Sequence, residues 1–263
     1  MSKLKHNPKL KTESMEVHHH PHVEKKNFKE YFLEFLMIFL AVTMGFFAEQ
    51  IRESFVEHNH EKEYIQSFYE DLSQDQKNLP ALSDWIQTDI NVSDSLKLLL
   101  KNVTLKTKAN EIYVDFRFLI RQLGIKNFVT QRTIFQLRNA GEWRLIRSNQ
   151  VTDSILEYYK NVETIAALQE YSLIQKGKLR DLYAPLLKSD DWDKVTEKNS
   201  DNIIHPHDNL YLKSVNPDVI NNCLLEISDV KGIHKGFKIE VIDLRNEATR
   251  LKKLIAQHYP VKQ

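Results

Sequence analysis

Hydrophobic positions along the chain fall into one unbroken run followed by a series of periodic stretches. The run is Tyr31 to Ala48, YFLEFLMIFLAVTMGFFA, in which Glu34 is the only charged residue. As a helix these residues reach roughly 27 Å, close to the hydrocarbon thickness of a bilayer. Phe28, Tyr31, Phe46 and Phe47 place aromatic rings near both ends. The strictly uncharged part, Phe35 to Ala48, is short enough to suit a signal-peptide core or a buried helix of a soluble bundle as well. Phe46, Phe47 and Ala48 before Glu49 lack the small-x-small pattern of a cleavage site, so the run reads as a retained transmembrane helix over 27–50.

Beyond the run the spacing is helical. Ile51 and Phe55 continue at four residues, Val56 to Glu63 is nearly all polar, and Ile65, Phe68, Leu72 and Leu79 then return, which predicts a stalk over 51–79. Pro80 predicts a break and Ala81 to Leu100 a second helix. After a polar connection through Lys108 comes a shorter apolar segment, Ile112 to Leu123, closed by Gly124; within it Glu111 to Leu119 is a marginal strand candidate. In Thr130 to Arg147, Thr130 is a candidate cap, Ile134 and Leu137 a buried face, and Gly141 a left-handed terminator. Ser148 or Asn149 can cap the next helix, whose face is Val151, Ile155, Tyr158, Val162 and Ile165, in a run reaching about Leu187.

Residues 188–216 are polar and read as a long loop. Asn216 and Pro217 then form a cap and first-turn proline, Ile220, Cys223, Leu224 and Ile227 share a face, and Gly232 is expected to close that helix. The last helix carries Phe237, Val241, Leu244, Ala248, Leu251 and Ile255 at alternating four and three, an a/d seam able to pair within the chain or across a dimer, with packing inside the chain favoured. The expected fold class is therefore all-α. It comprises a tail over 1–26, a single N-terminal transmembrane helix continuing into a stalk, and an antiparallel helical bundle over 80–263.

Charge gives the span a direction. Lys25, Lys26 and Lys29 precede it, whereas the twenty residues after it hold only Arg52 and Lys62 among glutamates. The positive-inside rule then puts the N-terminus in the cytoplasm and the C-terminal domain outside it, in a cell inner membrane crossed once. Elsewhere 37 Lys and Arg balance 36 Asp and Glu, which leaves no basic excess for nucleic acid. With 41% apolar residues the chain can build a core, and Cys223 as the one cysteine excludes an intrachain disulfide and any Cys-rich zinc site.

Candidate chemistry is sparse. His18, His19, His20 and His22, around Pro21, can hold Zn or Ni weakly, although a flexible tail lacks the fixed geometry that makes such a site selective. His58 and His60 are two apart and point to different sides of a helix; Glu57 with His60 or Glu61 is better placed, yet a solvated charged face explains these residues as well. In the 188–216 loop, His205, His207 and Asp208 are the best candidates for a ligand contact outside the tail. There is no phosphate-cradling glycine loop, nucleophile elbow, His-Glu-x-x-His or EF-hand loop, and neither an enzyme nor a cofactor is expected. Within the span, Ala41, Gly45 and Ala48 form a small-residue face that lets two helices approach closely.

The stretches EFLMIFLAVTMGFFAEQIRE, YIQSFYEDLSQD and TIFQLRNAGEWRLIRSNQVTDSILEYY together resemble a group of uncharacterised bacterial single-span membrane proteins. The resemblance covers the anchor, the start of the stalk and residues 130–160, and implies that architecture without implying an activity. Two functions of different class fit the sequence. One is a membrane-tethered interaction or scaffold protein binding the lipid bilayer, an unknown protein partner or a second copy of itself. The other is a sensor or solute/metal-binding module relaying through the anchor.

Overall fold

The computed structural model describes residues 27–121, 125–197 and 202–262; His18, His19, His20 and His22 lie outside them. The chain divides into two units, 1–54 and 55–263. Among the described residues the fold is all-α, with six α-helices and no strand beyond an isolated bridge between Thr196 and Ile203.

The first helix, α1 (Phe28–Lys101), is 74 residues long and passes through Pro80 without a break. A mid-helix proline removes one backbone donor and crowds the carbonyl four residues back, at a cost of about 3 kcal/mol. Leu72, Leu79, Leu82 and Ile86 on either side are all at most 1% exposed. Full burial of each contributes about 1.5–3 kcal/mol, so keeping both flanks on one core outweighs the local cost and the predicted break does not occur.

The N-terminal unit contains the apolar part of α1. An 18-residue window there has mean hydropathy 2.0 and none of it is buried, which makes α1 long and apolar enough to cross a membrane. In the second unit α1 changes character. From Glu61 a buried series runs through Ile65, Phe68, Leu72, Asp75, Leu79, Leu82, Ile86, Asp89, Ser93, Leu96 and Leu100, stepping alternately by four and three, with Asp71 and Ile90 buried beside it. The expected stalk over 51–79 is therefore core from Glu61 onward.

Two further long helices carry the same pattern. Helix α4 (Asn149–Tyr183) buries Val151, Ile155, Tyr158, Val162, Ile165, Ser172, Lys176, Leu179 and Tyr183. A later helix, numbered α6 (Pro217–His258), buries Cys223, Ile227, Val230, His234, Phe237, Val241, Leu244, Ala248, Leu251 and Ile255. The a/d seam of the last helix is thus spent within the chain. Gly232 does not end α6: Val230 and His234 are buried on both sides of it, and among the described residues the one glycine with positive φ is Gly141. Helix α6 starts as expected, the Asn216 side chain accepting from the N–H groups of Asp218 and Val219.

Side-chain bonds fix the directions. Helices α1 and α4 run parallel, Asp75 meeting Tyr158 and Asp89 meeting Lys176. Helix α6 is antiparallel to both, with pairs Gln76–Thr249, Lys97–Ser228 and Asn161–Glu247. Two parallel helices need a return segment, and residues 102–148 supply it. Helix α2 (Asn110–Leu119) lies there, so Glu111 to Leu119 is helical rather than a strand. Helix α3 (Arg132–Ala140) follows, ending at Gly141 with φ 68°. The Gly141 and Glu142 N–H groups bond back to Arg138 and Leu137, the paired closure a left-handed residue allows. Ser148 caps α4 through the Val151 N–H.

The described parts of 188–216, residues 188–197 and 202–216, are held against the bundle. They include the short α5 (Ser189–Trp192), bury Val195, Leu210 and Leu212, and are pinned by Lys213 N–H to Leu186 O and Leu210 N–H to Asn110 Oδ1.

Candidate functional site

The core of the second unit is two apolar clusters, one from Ile65 to Ile90 with the first half of α4 and the second half of α6, the other around Leu96, Leu100, α2 and Cys223. Between them lies a polar layer to which every long helix contributes: Asp89 and Ser93 from α1, Ser172, Gln175 and Lys176 from α4, His234 from α6, all at most 7% exposed. Lys176 Nζ donates to Asp89 Oδ2 at 2.9 Å and to the Arg121 carbonyl at 3.1 Å, and stands 5.2 Å over the Trp85 ring. Ser172 Oγ and His234 Nε2 are hydrogen-bonded at 3.1 Å. His234 Nδ1 is 3.5 Å from Asp89 Oδ2 without making a hydrogen bond, and Asp89 Oδ1 is unpartnered.

Burial opposes charge on each of these groups. It raises the Asp89 carboxyl to about 6 although Lys176 pulls the other way. It lowers the Lys176 ammonium against the pull of Asp89. For His234 it lowers the imidazole to about 3, with the Lys176 charge acting in the same direction. The order Ser172–His234–Asp89 copies the connectivity of a nucleophilic triad. Its chemistry is incomplete, because Lys176 already holds the carboxylate and Ser172 sits in mid-helix, where neighbouring N–H groups are committed to the helix and cannot form an oxyanion hole. The layer instead matches a buried polar position in a coiled coil, which fixes register at some expense in stability.

A second set of acids joins α1 to the return segment. Asp71 accepts from Thr133 N–H at 3.2 Å, Thr133 Oγ1 at 2.5 Å and Arg132 Nη2 at 3.1 Å. It caps α3 from a distance and takes the role predicted for Thr130, since the position before Arg132 is Gln131 and makes no side-chain cap. Asp75 accepts from Thr130 N–H at 2.6 Å and Tyr158 Oη at 2.8 Å. Burial still raises it to about 6 against those bonds. Glu61 accepts from Arg147 N–H at 2.7 Å and Tyr259 Oη at 2.7 Å. Burial pushes its carboxyl up, but those donors and His58 outweigh it and hold the group below the usual range.

The residues singled out in the sequence are scattered. Ala41, Gly45 and Ala48 are exposed on one face of α1, and a Cβ built on Gly45 meets nothing within 4 Å. His205 Nδ1 lies 3.3 Å from Glu111 at an exposed site. Asp208 contributes its backbone carbonyl to Asn110 Nδ2. His207 and the Asp208 side chain join no metal-ligating cluster, none being present among the described residues. Glu57 pairs with Arg144 at 3.7 Å, and His58 with Glu61 at 3.1 Å.

One open depression of about 880 Å³ lies where α2, the end of α4 and α5 meet. Its wall includes Arg117, Arg180, Tyr183, Trp192 and Lys213.

Comparison with family models, with curated proteins and with solved structures finds no match. Two of the stretches that carried the resemblance meet in the second unit. Asp71 and Asp75 of YIQSFYEDLSQD hold Thr130, Arg132, Thr133 and Tyr158 of the 130–160 stretch, and Tyr159 Oη donates to the Thr130 carbonyl. Together they form a structural clasp. The polar layer escapes a search for apolar residues, but Asp89, Ser93, Ser172, Lys176 and His234 lie on the four-three pattern of their helices, where they interrupt otherwise apolar seams.

Proposed function

We propose that the chain is a membrane-tethered interaction or scaffold protein: a single span holds it in the inner membrane, its N-terminus faces the cytoplasm, and its helical domain meets protein partners or a second copy outside. The observation that carries this reading is the exposure of the apolar helix. From Phe28 to Val56 every residue except Leu36 and Thr43 is exposed, and such a face in water has no means of burial other than lipid or another chain. Thr43 Oγ1 donates to the Phe39 carbonyl at 2.7 Å, satisfying its hydroxyl within the helix as hydrocarbon requires. Lys25, Lys26 and Lys29 before the span stand against Arg52 and Lys62 in the twenty residues after it. The bundle's own seam is used internally, which leaves the Ala41–Gly45–Ala48 face as the site for a second span.

The test is carbonate extraction of cell membranes containing the full-length chain, followed by protease accessibility in intact spheroplasts. Retention in the pellet with the C-terminal domain digested is the expected result. Release into the supernatant refutes the anchor, and protection of that domain refutes the orientation. If Ala41→Leu with Gly45→Leu leaves cross-linked oligomers unchanged, the span is not the site of self-association.

The depression beside Trp192 favours a second reading, a solute-binding module carried on the same anchor.

A further inference from the structure

The depression beside Trp192 has the size of a small-molecule site, at about 880 Å³ against the few hundred to a thousand usual for such pockets. Four cationic side chains line it, Arg117, Arg180, Lys188 and Lys213, against two carboxylates, Asp190 and Asp193. They come from separate parts of the fold: α2, α4, the turn before α5 and the segment leading to α6. Among the described residues no carboxylate lies within ion-pair distance of Arg117, Lys188 or Lys213, and Arg180 has only the exposed Asp181 at 3.6 Å.

Most of the rest of the wall is aromatic and aliphatic. Tyr183 and Trp192 have ring centroids 5.7 Å apart, with Ile120 and Leu187 beside them. The Arg117 guanidinium sits 5.3 Å over the Trp192 ring, which keeps a charged fork against an aromatic surface. Below them the Tyr183 hydroxyl is buried with no hydrogen-bond partner. Converging cations, three of them without a counter-ion, beside an aromatic wall call for an anion with a planar apolar body. A net excess of two positive charges suits one or two negative charges, and the two aspartates disfavour a polyphosphate.

We infer that this depression binds a small aromatic carboxylate, its carboxyl group held by Arg117 and Arg180 and its ring lying against Trp192. The inference deepens the solute-binding reading and rests on it.

The test is isothermal titration of the full-length protein in detergent micelles with phenylacetate, 2-phenylethanol and inorganic phosphate, alongside tryptophan emission. Saturable phenylacetate binding is expected, with quenching that disappears in Trp192→Phe. Arg180→Gln and Arg117→Gln should each weaken it by about tenfold, the loss expected for a hydrogen bond to a charged group. Arg180 is 64% exposed, so its variant retains the fold if Arg117→Gln does not. Equal affinity for 2-phenylethanol overturns the carboxylate assignment while leaving a solute pocket. Phosphate binding as tightly as phenylacetate overturns the aromatic part. Binding of none of the three removes both the inference and the solute-binding reading.

Discussion

Lys176→Met removes a charge from the polar layer while keeping the stem of the side chain. It leaves Asp89, with a side chain 0% exposed, without its counter-ion at 2.9 Å. Removing one partner of a buried pair costs about 3–5 kcal/mol, because the remaining charge stays buried away from water without its counter-ion. The same change removes the donor to the Arg121 carbonyl and the contact over Trp85, which places the loss toward the upper end. The effect depends on pH in a definite direction. Burial raises Asp89 to about 6, above its value in the unfolded chain, so protonation favours the folded state as pH falls through that value. At pH 5 the orphaned carboxyl becomes neutral and the penalty shrinks. Adding Asp89→Leu removes the second charge as well, and the double variant should recover most of the loss. Urea unfolding of the full-length chain in micelles, followed by circular dichroism at pH 7.5 and pH 5, measures Lys176→Met, Asp89→Leu alone and the double variant. A single-variant loss below about 1 kcal/mol, the range of an exposed pair, or strictly additive losses would refute a buried ion pair.

Other outcomes follow from the same geometry. Asp71→Ala deprives α3 of its cap and Arg132 of its partner, and should cost about 2–3 kcal/mol in a denaturant titration, more than an ordinary cap loss. Pro80→Ala restores a backbone donor to a continuous helix and should raise the denaturation midpoint, worth about 1–3 kcal/mol; a lowered midpoint would mean that α1 does break there. His234 is held neutral to about pH 3, whereas an unfolded histidine takes a proton near 6.5. Its contribution to stability is complete above about 6.5 and is lost on acidification toward 3, by up to about 1.4 kcal/mol per pH unit. Asp89 acts in the opposite sense below 6, so the informative quantity is the stability difference between wild type and His234→Gln. That difference should fall between pH 7 and 4, and a constant difference would contradict a buried neutral imidazole.

Much of the fold is legible in the sequence because apolar spacing and caps are local signals. Ser148, Gly141 and Asn216 act as their residue types suggest, and the seam from Phe237 to Ile255 is buried along its length. Where local rules mislead, tertiary packing is the cause. Pro80 and Gly232 sit inside helices whose flanks are clamped on both sides, so a breaker is carried through. Thr130 yields its capping role to Asp71, sixty residues away in the chain, which no local pattern can specify. The candidate sites were the least legible. His205, His207 and Asp208 attract notice by type, yet the buried polar layer of the bundle is Asp89, Lys176 and His234, which look like ordinary helix charges until three helices bring them together. The cations around Trp192 converge from four separate segments, so no spacing announces them.

The acids on the α1 seam, Glu61, Asp75 and Asp89, recur every two heptads. During folding, a sliding error of α1 by two heptads, about 21 Å along the axis, would again set carboxylate where carboxylate belongs. The acids alone therefore do not distinguish the native alignment from this neighbour. The rest of the helix does. Sliding one way brings Trp85 to the position of Asp71, where it cannot cap α3; sliding the other way brings Ser54 and His58 to the positions of Phe68 and Leu72. A residue outside the repeat and an abrupt end to the repeat thus act as stops, and variants at Asp71 should be the first to populate kinetically trapped, misaligned bundles.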